Sequence, residues 1–106
     1  MPAFVISEVE IRDESAAAQY RQFAAASIAA YGGRYLVRAA EAHVAEGEPT
    51  ARRVVIVEFP SMEQIHEWYS SPEYAKALKF RDTALVRRLT FVEGLPNPSS
   101  LSPTLP

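Results

Sequence analysis

A chain of 106 residues suits one domain and not two, because halves of that size bury too little of their surface to be stable alone. Its 48% hydrophobic and 23% charged residues are ordinary for a globular protein, and a net charge of −2 lacks the clustered positive surface that phosphate-backbone partners require, so no nucleic-acid partner is expected. With no cysteine, disulfides, thiolate catalysis and cysteine-rich zinc sites are excluded; with neither a basic-apolar leader nor a membrane-length apolar run, a soluble cytoplasmic protein without membrane contact is expected.

Ala3 to Ile11, AFVISEVEI, sets Phe4, Ile6, Glu8 and Glu10 against Val5, Ser7, Val9 and Ile11, which is the period of a strand. Asp13 offers an N-cap oxygen to the alanine-rich stretch Glu14 to Ala30, a predicted helix with Tyr20, Phe23, Ala24, Ser27 and Ile28 toward one face. Gly32-Gly33 closes it, since a residue without Cβ readily takes the left-handed conformation found at helix ends. Tyr35 to Val44 and Arg52 to Phe59 read as the next two strands, joined through the turn-rich segment Glu46 to Thr50. The latter strand is nearly all apolar and is expected to be buried on both faces.

Ser61 then caps a helix, with Gln64 in the capping-box position, and Met62, Ile65, His66 and Tyr69 are expected on its inward face. Ser71-Pro72 interrupts it and begins a further helix to about Leu85, on which Tyr74, Leu78, Arg81 and Leu85 stack at helical spacing. Arg87 to Glu93 alternates as the last strand. The domain is therefore residues 1–94, followed by a proline- and serine-rich tail, 95–106, whose composition cannot form a packed core and suits a mobile segment or an extended arm.

Strand, helix, strand, strand, helix, strand is the order of the ferredoxin-like βαββαβ fold, an α+β architecture with helices on one face of an antiparallel sheet. Every strand here offers apolar side chains to both faces. Leaving the second face wet would cost about 25 cal/mol per Å² of apolar surface. A homodimer with two sheets face to face, a dimeric α/β barrel, is the expected answer.

YGGRYLVR, RRVVIVEFPSMEQIHEWYSSPEY and FRDTALVRRLTFVEG together resemble the domain of unknown function family 1330 over nearly the whole chain from Val5 to Gly94. That resemblance implies the dimeric α/β barrel superfamily, which agrees with the apolar second face. Ala39-Ala40 stands where members of the family often have a glycine after the arginine, and the tail is longer than the family needs. The superfamily includes cofactor-independent monooxygenases, lactone isomerases and haem-handling proteins. A haem-handling role would call on His43 or His66, and the family name carries no established reaction.

Among residues that could carry chemistry, a hairpin centred near Glu48 would set Arg38 across from Glu58 on one sheet face. A charged pair between apolar strands is either a structural salt bridge at a dimer interface or an anchor, in which Arg38 holds a carboxylate or enolate and Glu58 accepts a proton. Arg34 reads as a surface charge at the start of its strand. Arg81 interrupts an apolar stripe, so its guanidinium either grips a planar acid or snorkels to water. His66, Trp68, Tyr69 and Tyr74 surround the helix break, as core or as pocket lining, and His66 is the candidate general base because histidine is the residue type suited to proton transfer at neutral pH. With Tyr35 these define a candidate pocket: Glu58 and His66 catalytic, Tyr35, Arg38, Trp68, Tyr69, Tyr74 and Arg81 binding. No phosphate loop, dinucleotide fingerprint or zinc motif is present. The expected function is binding or transformation of a small acidic or aromatic metabolite with no cofactor and no metal; the alternative is a non-catalytic dimeric structural or interaction module.

Overall fold

A computed structural model of the chain describes residues 1–96, so the tail from 97 onward lies outside the described residues. The elements are β1 (Ala3–Ile11), α1 (Glu14–Ala30), β2 (Arg34–Glu41), β3 (Arg53–Phe59), α2 (Met62–Tyr69), α3 (Pro72–Ala84) and β4 (Leu85–Glu93). The four strands form one sheet in the order β2-β3-β1-β4, with every neighbouring pair antiparallel. Among the described residues no helix is long and apolar enough to cross a membrane.

The helix boundaries follow from capping chemistry. Asp13 Oδ1 accepts from the Ala16 amide at 3.0 Å and Ser61 Oγ from the Gln64 amide at 3.1 Å, each satisfying a donor that the first turn leaves free. Ser71 joins two helices: its hydroxyl accepts from the Tyr74 amide at 3.0 Å and donates to the Trp68 carbonyl at 2.7 Å. At the far end of α1 the Gly32 amide donates to Ala29 and the Gly33 amide to Ile28, a closure that needs the left-handed φ of +81° at Gly32. Gly33 is required for a different reason. A Cβ there would stand 2.7 Å from Ile28 Cγ2 and 2.8 Å from Phe59 Cζ, so only glycine lets the chain pass the core.

The main core lies between the sheet and the helices, where Val5, Val57, Phe59, Ile28, Ile65, Trp68 and Tyr74 are buried. On α2 the buried row is Ile65 and Trp68 with half-buried Met62, so the expected inward placement of His66 and Tyr69 is wrong: both are exposed. The spacing of three that begins at Met62 ends on the indole, which is larger and less polar than either. On α3 the buried positions are Tyr74, Ala77 and Ala84, while Arg81 is half-buried beside them and its Nε donates to Asp82 at 3.2 Å. β4 starts two residues earlier than expected, because Leu85 already pairs with Ile11. The face of β3 turned from the helices (Val54, Ile56, Glu58) is only half-buried.

The register of β2 differs from expectation, and this decides where its charges go. Glu58 lies opposite Arg34, not Arg38, with Arg34 Nε to Glu58 Oε1 at 2.6 Å. The strands are joined through residues 42–52, too long a connection for a tight turn to set the register. β2 also carries an extra residue between Tyr35 and Val37 and another between Val37 and Ala40. Each bulge re-aims the side chains after it. Strict alternation would leave Arg38 on the outer face with Arg34; instead Val37 and Ala40 pair with outward Ile56 and Val54, and Arg38 turns toward the helices over the Tyr35 ring, 4.4 Å from its centroid.

The second bulge puts Ala39 at φ +54°, a left-handed conformation that a Cβ opposes. Ala39→Gly is therefore expected to stabilise the protein by about 0.5 kcal/mol, the relief of that strain less the added freedom of the unfolded chain. Urea denaturation reads the change, and a destabilised variant would remove the left-handed residue from this account.

Candidate functional site

A cavity of about 90 Å³ remains between the sheet and the helices. Val5, Val9 and Val57 line it from the sheet, Ala24 and Ile28 from α1 and Trp68 from α2. Its walls are thus mostly apolar, with Ser7, Tyr20, Arg21, Tyr35, Arg38 and Arg87 as the polar exceptions.

Arg87 is the unusual member. On β4 the alternation Leu85, Arg87, Leu89, Phe91 faces the helices, so a guanidinium sits in a row of otherwise apolar side chains, opposite Val9. Its Nη1 donates to the Tyr20 hydroxyl, its Nη2 donates to the Tyr74 hydroxyl at 2.8 Å, and the two hydroxyl oxygens lie 2.6 Å apart. Five ion pairs form among the described residues, Arg12 with Glu10, Arg21 with Glu14, Arg34 with Glu58, Arg53 with Glu41 and Arg81 with Asp82, and none includes Arg87. Burial works against its charge, yet the adjoining tyrosine oxygens outweigh that effect and raise its pKa further. Burial, reinforced by the neighbouring Tyr20, pushes the Tyr74 hydroxyl well above the usual tyrosine range, so it stays protonated. Burial likewise raises the pKa of Tyr35, against the lowering effect of Arg38.

The aromatic packing fixes this geometry. Trp68 lies 4.3 Å from Tyr74 between ring centroids and 5.3 Å from Phe59, and its Nε1 donates to Ser27 Oγ at 3.0 Å. Ser27 in turn donates to the Ala24 carbonyl, so no polar atom of this inner layer is left without a partner. Tyr74, fully buried, can place its hydroxyl in only one direction.

Of the residues expected to form a pocket, Tyr35, Arg38 and Trp68 line the cavity, and Tyr74 reaches it through Arg87. Tyr69 and Arg81 instead border an open groove on the other side of Arg87, beside β4. Glu58 and His66 line neither. Glu58 is on the outer face with Arg34, and His66 meets the edge of Phe91 at the surface, 5.8 Å between centroids. His43 is exposed beyond the end of β2. Arg87, Tyr20 and Ser7 join the site without having been singled out from the sequence. The alternation of LVRRLTF carries the signal for Arg87, which shares its parity with Leu85 and Leu89; that for Ser7 lies in its place between Val5 and Val9. Among the described residues no group of three or more His, Cys, Asp or Glu is placed to hold a metal ion.

An antiparallel four-stranded sheet with three helices packed against it defines an α+β domain of ferredoxin-like architecture. The chain belongs to the family Domain of unknown function (DUF1330), whose model matches residues 2–95. It is similar in fold to a protein of unknown function from Rhodopseudomonas palustris, with 22% identity and a TM-score of 0.74 over 91% of this chain and 84% of that one. A dimeric protein of unknown function and ferredoxin-like fold from Bacteroides fragilis matches with a TM-score of 0.60 and 12% identity, covering 88% of this chain and 96% of that one. A protein from Mycobacterium tuberculosis gives 0.58 at 20% identity over 92% and 99%. No curated protein matches the chain.

Proposed function

We propose that this protein is a homodimer that binds a small acidic metabolite in the sheet–helix cavity of each subunit. The single observation that carries the reading is Arg87: a cation turned into an apolar-walled cavity with tyrosine hydroxyls but no carboxylate around it. The tyrosine oxygens and partial exposure ease the charge of this half-buried arginine but leave it without an ion pair, a place for a ligand to complete. A bound anion completes it, and the guanidinium fork suits a planar acid. The lining residues include neither a carboxylate nor an imidazole, which favours binding over proton-transfer catalysis. Glu58 and His66 have no part in this reading.

Two observations support the dimer. The outer face of the sheet carries Phe4, Ile6, Val54 and Ile56, with Val86 and Val92 40% and 41% exposed, an apolar patch bordered by Glu8, Glu58 and Arg88 that a second copy of the same sheet would cover. One structure of similar fold is described as dimeric. The alternative, a structural module without a ligand, is favoured by the Arg34–Glu58 pair, which lies on this outer face and would hold two sheets in register.

Thermal unfolding in the presence of small organic acids separates the two readings. A bound acid at a hundredfold excess over its Kd adds about 2.7 kcal/mol, and the added stability should vanish in Ala24→Leu, which fills the cavity from α1 while leaving Arg87 in place. If no acid stabilises the wild type, or if Ala24→Leu is stabilised equally, the cavity is not a ligand site and the structural module stands.

A further inference from the structure

We infer that Tyr20 and Arg87 anchor a carboxylate and that the ligand is a short aliphatic monocarboxylate, an inference that rests on the cavity reading above. The hydrogen atoms of the triad decide the first half. Arg87 donates to both hydroxyl oxygens, and one of the two tyrosines donates to the other. The recipient still has a hydroxyl hydrogen of its own, and nothing in the triad accepts it. Were Tyr20 the donor, the surplus hydrogen would belong to Tyr74, which is 0% exposed and enclosed by Trp68, Tyr69 and Tyr20. Burying a hydroxyl with no acceptor is unfavourable. Tyr74 therefore donates to Tyr20, and the Tyr20 hydroxyl, on the cavity wall, directs its hydrogen to whatever the cavity holds.

The cavity thus presents an O–H in need of an acceptor beside a guanidinium in need of a negative charge. A carboxylate supplies both with its two oxygens. Ser7 places a further hydroxyl on the same wall, diagonal to Arg87 because Val9 is its direct opposite. Arg38 makes no equal demand for an anion: both guanidiniums lie over a tyrosine ring, Arg38 on Tyr35 and Arg87 on Tyr20, but Arg38 is exposed to water and Arg87 is half-buried.

The volume decides the second half. A cavity of about 90 Å³ is smaller than the ~150 Å³ cavity that takes up a benzene, and its apolar walls are mainly valine, leucine and isoleucine. An alkyl chain of a few carbons matches this space, whereas a six-membered ring would have to extend beyond it.

Titration calorimetry and thermal unfolding with butyrate, valerate, butyramide, benzoate and glutarate test both halves on the full chain. Butyrate and valerate are expected to bind at least tenfold more tightly than the neutral butyramide, and more tightly than benzoate or glutarate. Tyr20→Phe should lose about tenfold in butyrate affinity with butyramide unchanged, and Arg87→Met should abolish the preference for the acid. If Arg87→Met fails to fold, Tyr20→Phe decides alone. Equal binding of butyrate and butyramide overturns the carboxylate anchor while leaving the cavity a ligand site. Tighter benzoate or glutarate overturns the short monocarboxylate, again with the cavity reading intact. Binding of none of the five overturns the inference, and failure of a wider set of acids as well removes the ligand site itself.

Discussion

Replacing Ile56 by arginine is expected to convert the proposed sheet-to-sheet dimer into folded monomers. Ile56 lies at the centre of the outer face of the sheet, opposite Ile6 on β1 and Val37 on β2. When two sheets meet, each copy of the variant brings a charge into the middle of an apolar contact, and the two charges are alike. An uncompensated buried charge costs about 3–5 kcal/mol, and ~3 kcal/mol weakens association by roughly a hundredfold. The core on the helix side is untouched, so far-ultraviolet circular dichroism should remain that of the wild type while sedimentation equilibrium reports the smaller mass. A variant that stays dimeric at the wild-type affinity would place the interface elsewhere.

Trp68→Ala is expected to have the largest effect on stability of any single truncation. The indole is 2% exposed, packs against Phe59 and Tyr74, and gives its hydrogen to Ser27. Truncating a buried aromatic costs about 3–5 kcal/mol, a large part of the ~5–15 kcal/mol that holds a typical domain together. The melting temperature should fall by about 20 °C. The loss would also unseat Tyr74 and with it the Tyr20–Arg87 geometry, so acid-induced stabilisation should disappear even at temperatures where the variant is folded. A fall of only a few degrees would show that the indole does not hold the core as described.

Much of the fold can be read from local pattern. The alternation from Ala3 to Ile11, the caps at Asp13 and Ser61, the glycine pair after α1 and the proline between α2 and α3 each act within a few residues, and each lies where local rules place it. The register of β2 does not follow from such rules. It depends on two bulges and on a left-handed alanine, Ala39, which is not a residue type that announces that conformation. For that reason Glu58 meets Arg34, and Arg38 reaches the cavity by a turn of the strand that alternation alone does not reveal.

The site divides in the same way. Trp68 and Tyr35 are legible because aromatics near a helix break and at the head of a strand are natural wall residues. His66 and Glu58 attract notice by their chemistry, but chemistry does not fix direction: one points to solvent and the other to the outer face. Arg87 is recoverable from the parity of β4, once the strand is started at Leu85. Tyr74 is a candidate from the sequence, but its pairing with Tyr20 is not legible there, because the two are brought together only when α1 packs on α3.

Native mass spectrometry of the untagged full chain with butyrate present tests the central claim most directly, since one spectrum reports subunit number and bound mass together. A dimer that takes up one carboxylate per subunit is expected, and an Arg87→Met dimer whose uptake is at least tenfold weaker. A monomer, or a dimer whose uptake is the same with and without Arg87, would contradict that claim.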